Sequence, residues 1–276
     1  MTTFSDTTVD AIRSLSATAK QDAKILKAKA EDAARVQRVW GDFCNYVDRN
    51  WCLHILALME RESETLKKMR AEGHPAISAL EEIYRIAKEQ SESLRRRFVN
   101  NLDEACRVNQ LPLDRESSRH PRYTFEQGFL QLEIDDYKGL ARLADNEGRI
   151  DELSADVGAI VELVQREHKR LFARKFDGAK FLQKLRHQYC ALLDKQGEPD
   201  GASLPIRRIT ARLGKNEEKF RTDEFLVDLS RLIEQGPPEI DGYRFDLQQT
   251  KDTNQGMLLH GAAGRGYVGF ITFRKV

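Results

Sequence analysis

The chain has 276 residues, 40% hydrophobic and 32% charged, with 45 basic side chains against 44 acidic ones and a net charge of +1. That length suits one large or two ordinary domains with a substantial core, and the near-neutral balance selects no class of partner by bulk charge. No apolar run approaches the roughly 20 residues of a membrane span, and MTTFSDTTVDAIRS at the start lacks the basic-then-apolar order of a secretory signal, so a cytoplasmic location is expected.

From Thr8 to Glu72 there is no proline, and Gly41 is the sole glycine. A strict 3-4 spacing from Ile12 selects Ile12, Leu15, Ala19, Asp22, Leu26, Lys29, Ala33, Val36, Trp40, Phe43 and Val47, of which nine of eleven are apolar. This is the heptad pattern of a coiled-coil seam. Asp22 and Lys29 interrupt it, and its alanines make it thin. A richer apolar stretch follows from Trp51 to Met59, and Gly73-His74-Pro75 should stop the helix. A second seam then runs from Ile77 through Leu80, Tyr84, Ala87, Leu94 and Phe98 to Val108. The expectation is a long antiparallel helical, coiled-coil-like arm over residues 1–110. Its facing surface could belong to the same chain or to another. Ile12, Leu15, Leu26, Val36, Trp40, Phe43, Trp51 and Ile55 are the candidate partner interface.

Residues 111–122 hold two prolines and read as a linker. Residues 123–276 are expected to form an α+β domain. Leu130 to Ile134 alternates apolar and polar, as a half-buried strand does. Tyr137–Leu143 reads as its hairpin partner or a short helix, and Asp145–Gly148 as a turn. A helical pattern is read from Asp151 onward, and another over Phe181–Leu193. Ile206–Leu213 fits neither period cleanly. Thr222 looks like an N-cap with acidic residues in the first turn, and Gly236-Pro237-Pro238 ends that helix. The tail reads as strands at Tyr243–Leu247, Met257–Leu259 and Tyr267–Phe273, with Gly261–Gly266 turning between the last two. Helices followed by a terminal hairpin give 178–276 a winged-helix-like order. The class is therefore α+β, predominantly helical.

Residues 166–221 carry 15 Lys/Arg against 7 Asp/Glu, a net of +8. Arg166, Lys169, Arg170, Arg174, Lys175, Lys180, Lys184, Arg186, Arg207, Arg208, Arg212 and Lys215 are the candidate nucleic-acid contacts, because clustered basic charge attracts phosphates. They could instead solvate exposed faces or meet an acidic protein. The helix from Thr222 to Gln235 carries Asp223, Glu224, Asp228 and Glu234 against Arg231 alone. If it were the reading helix of a winged helix, it would repel DNA and suit a protein contact better. Cys44, Cys52, Cys106 and Cys190 form no CxxC pair and are expected to be buried free thiols, not zinc ligands. GAAGRGYVG lacks the Lys-Ser/Thr of a phosphate loop. His187 and Cys190 have no visible orienting group. No residue pattern assigns catalysis, a cofactor or a metal.

In layout, long helices joined to a winged-helix-like domain, the chain is similar to the accessory or kleisin-like subunits of SMC-type ATPase complexes. Such complexes act on DNA in chromosome maintenance or in defence against phage and plasmids. The likeness is one of layout and assigns no residue a role. It implies a non-catalytic subunit with protein partners, an ATPase or a nuclease among them, and DNA bound directly or through the complex. Self-association is a further option. Direct nucleic-acid binding through 166–221 is the alternative, and an enzyme with an unrecognised site is the third.

Overall fold

The computed structural model describes residues 6–261 and 267–276. The chain is mixed α and β and forms two compact units, Met1–Ser91 and Glu92–Val276. The division falls inside a helix instead of at the segment 111–122.

The first unit is helical: α1 (Asp6–Asp48), α2 (Cys52–Arg61), α3 (Ser63–Ala71) and the first part of α4 (Ile77–Val108). The single helix expected up to Glu72 is thus broken twice. The first break is a left-handed cap. Asn50 sits at φ 56°, its N–H donates to the Val47 carbonyl, and the Trp51 N–H donates to that of Tyr46. This pair of bonds closes a helix end, and asparagine is among the few non-glycine residues that tolerate the conformation. Gly73, at φ 66°, ends α3 with the same two bonds, to Arg70 and Met69, where the sequence placed a stop. The core of this unit contains Phe43, Cys52, Ile55, Leu58, Leu80 and Ala87.

In the second unit α4 ends at Val108 and is closed by Gln110 (φ 54°), again with paired bonds, from Gln110 and Leu111 to the carbonyls of Arg107 and Cys106. The first sheet is an antiparallel meander of β1 (Arg122–Phe125), β2 (Leu130–Asp135), β3 (Leu140–Ala144) and β4 (Arg149–Ser154), in that order. Leu130, Leu132 and Ile134 on β2 face the core as their alternation predicts. Residues 151–154, read as the start of a helix, belong to a strand. Asp145 accepts bonds from the N–H groups of Glu147 and Gly148 and turns the chain back, so β4 pairs with β3. The helix, α5 (Val157–Phe172), starts later.

The segment 111–122 is built into this sheet. Leu113 bridges to Phe125, and the Asp114 carboxylate accepts the N–H groups of Gln127 and Gly128 at 3.0 and 2.8 Å. Those bonds hold a β1–β2 turn in which Glu126, Gln127 and Gly128 all have positive φ. Successive N–H groups in such a turn form a concave site for an anion, here filled by an aspartate.

Next come α6 (Gly178–Gln196), β5 (Leu204–Pro205), α7 (Ile206–Asn216), α8 (Thr222–Gln235), β6 (Glu239–Ile240), β7 (Tyr243–Thr250), β8 (Met257–Leu258) and β9 (Tyr267–Lys275). The second sheet is ordered β5-β9-β7-β6, with β8 also on β9, and every pairing is antiparallel. β7 and β9 form the terminal hairpin. Tyr189 of α6 is fully buried beneath it, its ring 5.0 Å from Phe273 and its hydroxyl donating to the Ala202 carbonyl at 2.6 Å. Thr222 opens α8 as its first residue, not its cap; Arg221 precedes it and gives no side-chain cap. The turn read over Gly261–Gly266 falls, from Ala262 onward, outside the described residues.

Candidate functional site

The basic residues of 166–221 divide by what they touch. Arg166 pairs with Asp151 at 2.6 Å and Glu167 at 3.0 Å. Lys180 pairs with Asp177, Lys184 with Glu217 and Arg186 with Asp200. The Arg186 guanidinium also lies over the Tyr243 ring, 4.0 Å from its centroid. Arg207 binds Glu147 at 2.7 Å and the Gly256 carbonyl at 2.8 Å, which ties α7 to the first sheet and to the chain before β8. Arg208 and Arg212 donate to the side-chain amides of Gln196 and Gln188. Lys169, Lys175 and Lys215 are exposed and hold no ion pair among the described residues. The run of charge is therefore no single patch, since most of it is matched by acids, some within the run and some elsewhere in the chain.

The densest matching is between α5 and α8. Arg170 donates to Glu167 at 2.8 Å, to Glu224 at 2.7 Å and to the Asp223 carboxylate. Arg174 lies 2.7 Å from Asp228 and donates to the Glu224 carbonyl at 2.6 Å. Arg231 reaches back from α8 to the carbonyls of Phe172 and Arg174. Three of the four acids of α8 are thus covered by the end of α5. Burial pushes the Asp223 carboxyl up, but bonds from Arg170 and Arg221 outweigh it and hold it below the usual carboxylate range. Burial dominates at Asp228 and raises it.

A second cluster is composed of residues far apart in sequence. Glu126 accepts from His168 Nε2 at 2.6 Å and lies 3.1 Å from His260 Nε2. The rings of Phe129 and Phe172 close around the imidazoles, at 5.7 and 4.7 Å from His260. Burial raises the Glu126 carboxyl, yet the two histidine bonds win and lower it overall. Both Nε2 atoms are engaged by one carboxylate, so the group works as a pin joining the β1–β2 turn, α5 and the chain after β8. Separations of 42 and 92 residues leave no sequence signal for it. Among the described residues no set of three or more His, Cys, Asp or Glu could hold a metal ion. Cys52 and Cys106 are buried as expected, whereas Cys44 is exposed and Cys190 half-buried. Burial pushes the Cys106 thiol up to about 11, which makes it unreactive.

The candidate interface of the first unit splits in two. Phe43 and Ile55 are core residues of the unit itself, so they are not open to a partner, and Trp40 and Trp51 are half-buried. Residues 10–38 of α1 are exposed throughout. Ile12, Leu15, Leu26 and Val36 are 62%, 70%, 66% and 39% accessible. The seam ends beside a groove of about 400 Å³ whose apolar wall includes Val36, Val39, Trp40, Leu66 and Met69. At its edge Arg35 donates at 2.7 Å to the buried Glu62, holding that carboxyl below its ordinary range.

No protein-family model matches the chain, and no curated protein or solved structure shows significant similarity to it. No described helix is long and apolar enough to cross a membrane.

Proposed function

We propose that this chain is a non-catalytic accessory subunit of a larger cytoplasmic assembly, of the SMC-type ATPase kind that acts on DNA, and that α1 is its docking element. The observation that carries this reading is the uncovered seam. A heptad stripe from Ile12 to Val36 has its large apolar members in solvent, and contiguous apolar surface of this sort marks an interaction site. A coiled coil with another helix would cover it.

The second unit supports the same reading. The order α6-β5-α7-α8-β7-β9, with β9 lying between β5 and β7, fits a winged helix in which α8 is the helix that would enter a DNA groove. In this chain that helix is acidic and its acids already meet Arg170 and Arg174. A module so arranged is suited to holding protein, with DNA contacted through the complex.

Affinity purification of the tagged full chain from its native cells tests the proposal. An SMC-type ATPase should be retained in stoichiometric amount, and it should be lost from Leu15→Glu/Leu26→Glu. Recovery of a monodisperse chain with no stoichiometric partner would overturn it. The second reading, direct nucleic-acid binding, keeps a narrower basis in Lys169, Lys175 and Lys215 with Arg208 and Arg212. It predicts duplex affinity that falls steeply with salt and weakens when Lys169 and Lys175 become Glu.

A further inference from the structure

From the charge pattern along the exposed seam we infer that α1 pairs with α1 of a second copy, antiparallel, over Ile12–Val36. This rests on the reading of α1 as a docking element and completes it: the paired α1 helices, not a single α1, are what the ATPase would hold. In heptad terms the inward positions are Ile12, Leu15, Ala19, Asp22, Leu26, Lys29, Ala33 and Val36. All lie within the stretch of α1 that is exposed. The positions flanking this stripe are Ala11, Ser16, Thr18, Ala23, Ile25, Ala30, Asp32 and Gln37, of which Asp32 alone is charged. The basic residues Arg13, Lys20, Lys24, Lys27 and Arg38 fall on the outer face. Ala11, Ser16, Thr18, Ala23 and Ala30 are small and uncharged, which lets two helix backbones approach closely along most of the stripe.

Two charges inside the stripe decide orientation. A parallel pair in register places Asp22 against the partner's Asp22 and Lys29 against the partner's Lys29, and like charges facing each other across a core are costly. An antiparallel pair puts each inward position of one heptad half opposite the other half. With a two-fold axis at residue 24, Ile12 meets the partner's Val36, Leu15 the partner's Ala33, Ala19 the partner's Lys29 and Asp22 the partner's Leu26. Asp22 then sits one layer from the partner's Lys29, within reach of its long side chain, and the relation repeats by symmetry. Each of the small residues and Asp22 faces a larger or longer one, and the whole exposed stripe is used. The end layer, Ile12 with the partner's Val36, falls at the mouth of the groove lined by Val39, Trp40, Leu66 and Met69. The partner's helix start would enter apolar space that α1 and α3 leave open.

Sedimentation equilibrium of the full chain tests this by mass. The expected species has twice the 31.7 kDa of one chain. Lys29→Asp places acid near acid and should weaken dimerisation by about tenfold or more. Adding Asp22→Lys to it swaps the pair and should restore wild-type affinity to within about threefold. Restoration by the double swap excludes an unrelated helix, which gains nothing from it, and Lys29→Gln separates the two orientations. It weakens an antiparallel pair by losing the contact to the partner's Asp22, whereas tighter association, from relief of a Lys29–Lys29 contact in a parallel pair, overturns the antiparallel pairing. A monomeric chain whose ATPase partner is lost on Leu15→Glu/Leu26→Glu overturns the self-pairing and leaves the docking reading standing. A monomer that loses no partner overturns both, and a dimer indifferent to all these changes overturns the self-pairing.

Discussion

Helices α8 and α1 are both unbalanced in sequence, one by charge and the other by an apolar stripe, and the fold treats them oppositely. The acids of α8 meet arginines of α5 more than 50 residues away in the same chain. The stripe of α1 stays exposed over residues 10–38. A one-sided helix in sequence therefore says that a complement exists, not which chain provides it. The stabilities of the two regions should differ accordingly.

The largest effect belongs to the α5–α8 contact. Arg170→Ala leaves Asp223 and Glu167, both buried, without their main countercharge. Removing one partner of a buried ion pair costs about 3–5 kcal/mol, so urea unfolding of this variant should show a loss of that size. Lys169→Ala, one residue away and exposed, should stay within about 0.5 kcal/mol of the parent. Equal effects at the two positions would mean that the covering of α8 adds nothing to the fold.

The histidine pin should come next. Glu126→Ala removes the acceptor of His168 and His260, and hydrogen bonds to a charged group are each worth about 1.5–3 kcal/mol. Removing the carboxylate also relieves the cost of burying it, so a loss of about 2–3 kcal/mol is expected, with faster amide exchange around His260. A neutral outcome would show that the chain after β8 is held by Arg207 and the sheet alone.

Acid should act on the two shifted acids of α8 in opposite directions. The folded carboxyl of Asp223 lies below its unfolded value near 3.9. Its contribution is complete above about pH 4 and lost as pH falls through the folded value. Asp228 is raised instead, so protonating it favours the fold as pH drops. Unfolding free energies between pH 7 and pH 3 should fall less in Asp223→Asn than in the parent, and more in Asp228→Asn. The same slope in all three proteins would remove the assigned roles.

Sequence made some of this legible and not the rest, for identifiable reasons. The alternation Leu130–Ile134 marked β2 because one face of that sheet is buried and the other is not. Gly73-His74-Pro75 marked the end of α3 because glycine and proline act locally. Asn50 passed unnoticed, since the left-handed conformation it takes depends on the bonds of Trp51 and Asn50 to the preceding turn. β4 was masked by apolar residues shared with α5, and only pairing with β3 separates the two. The basic run 166–221 looked like one surface because part of its acidic complement, at Asp151, Glu147 and Asp223, lies outside it, and because Glu217 and Asp200 meet Lys184 and Arg186 only once the chain is folded. The pin of Glu126, His168 and His260 is created by tertiary structure and has no local trace.

The smallest effect is the sharpest test of the contrast. Leu26→Ala removes a large side chain at a position 66% accessible. In a chain kept dilute enough to be monomeric, the unfolding free energy should move by no more than about 0.5 kcal/mol. Phe43→Ala, further along the same stripe but 3% accessible, should cost about 3–5 kcal/mol. One seam thus changes its role along its length, from a core within the unit at Phe43 to a surface at Leu26. If Leu26→Ala destabilised the dilute monomer as Phe43→Ala does, α1 would have an intramolecular partner, and the case for docking through this helix would fall with it.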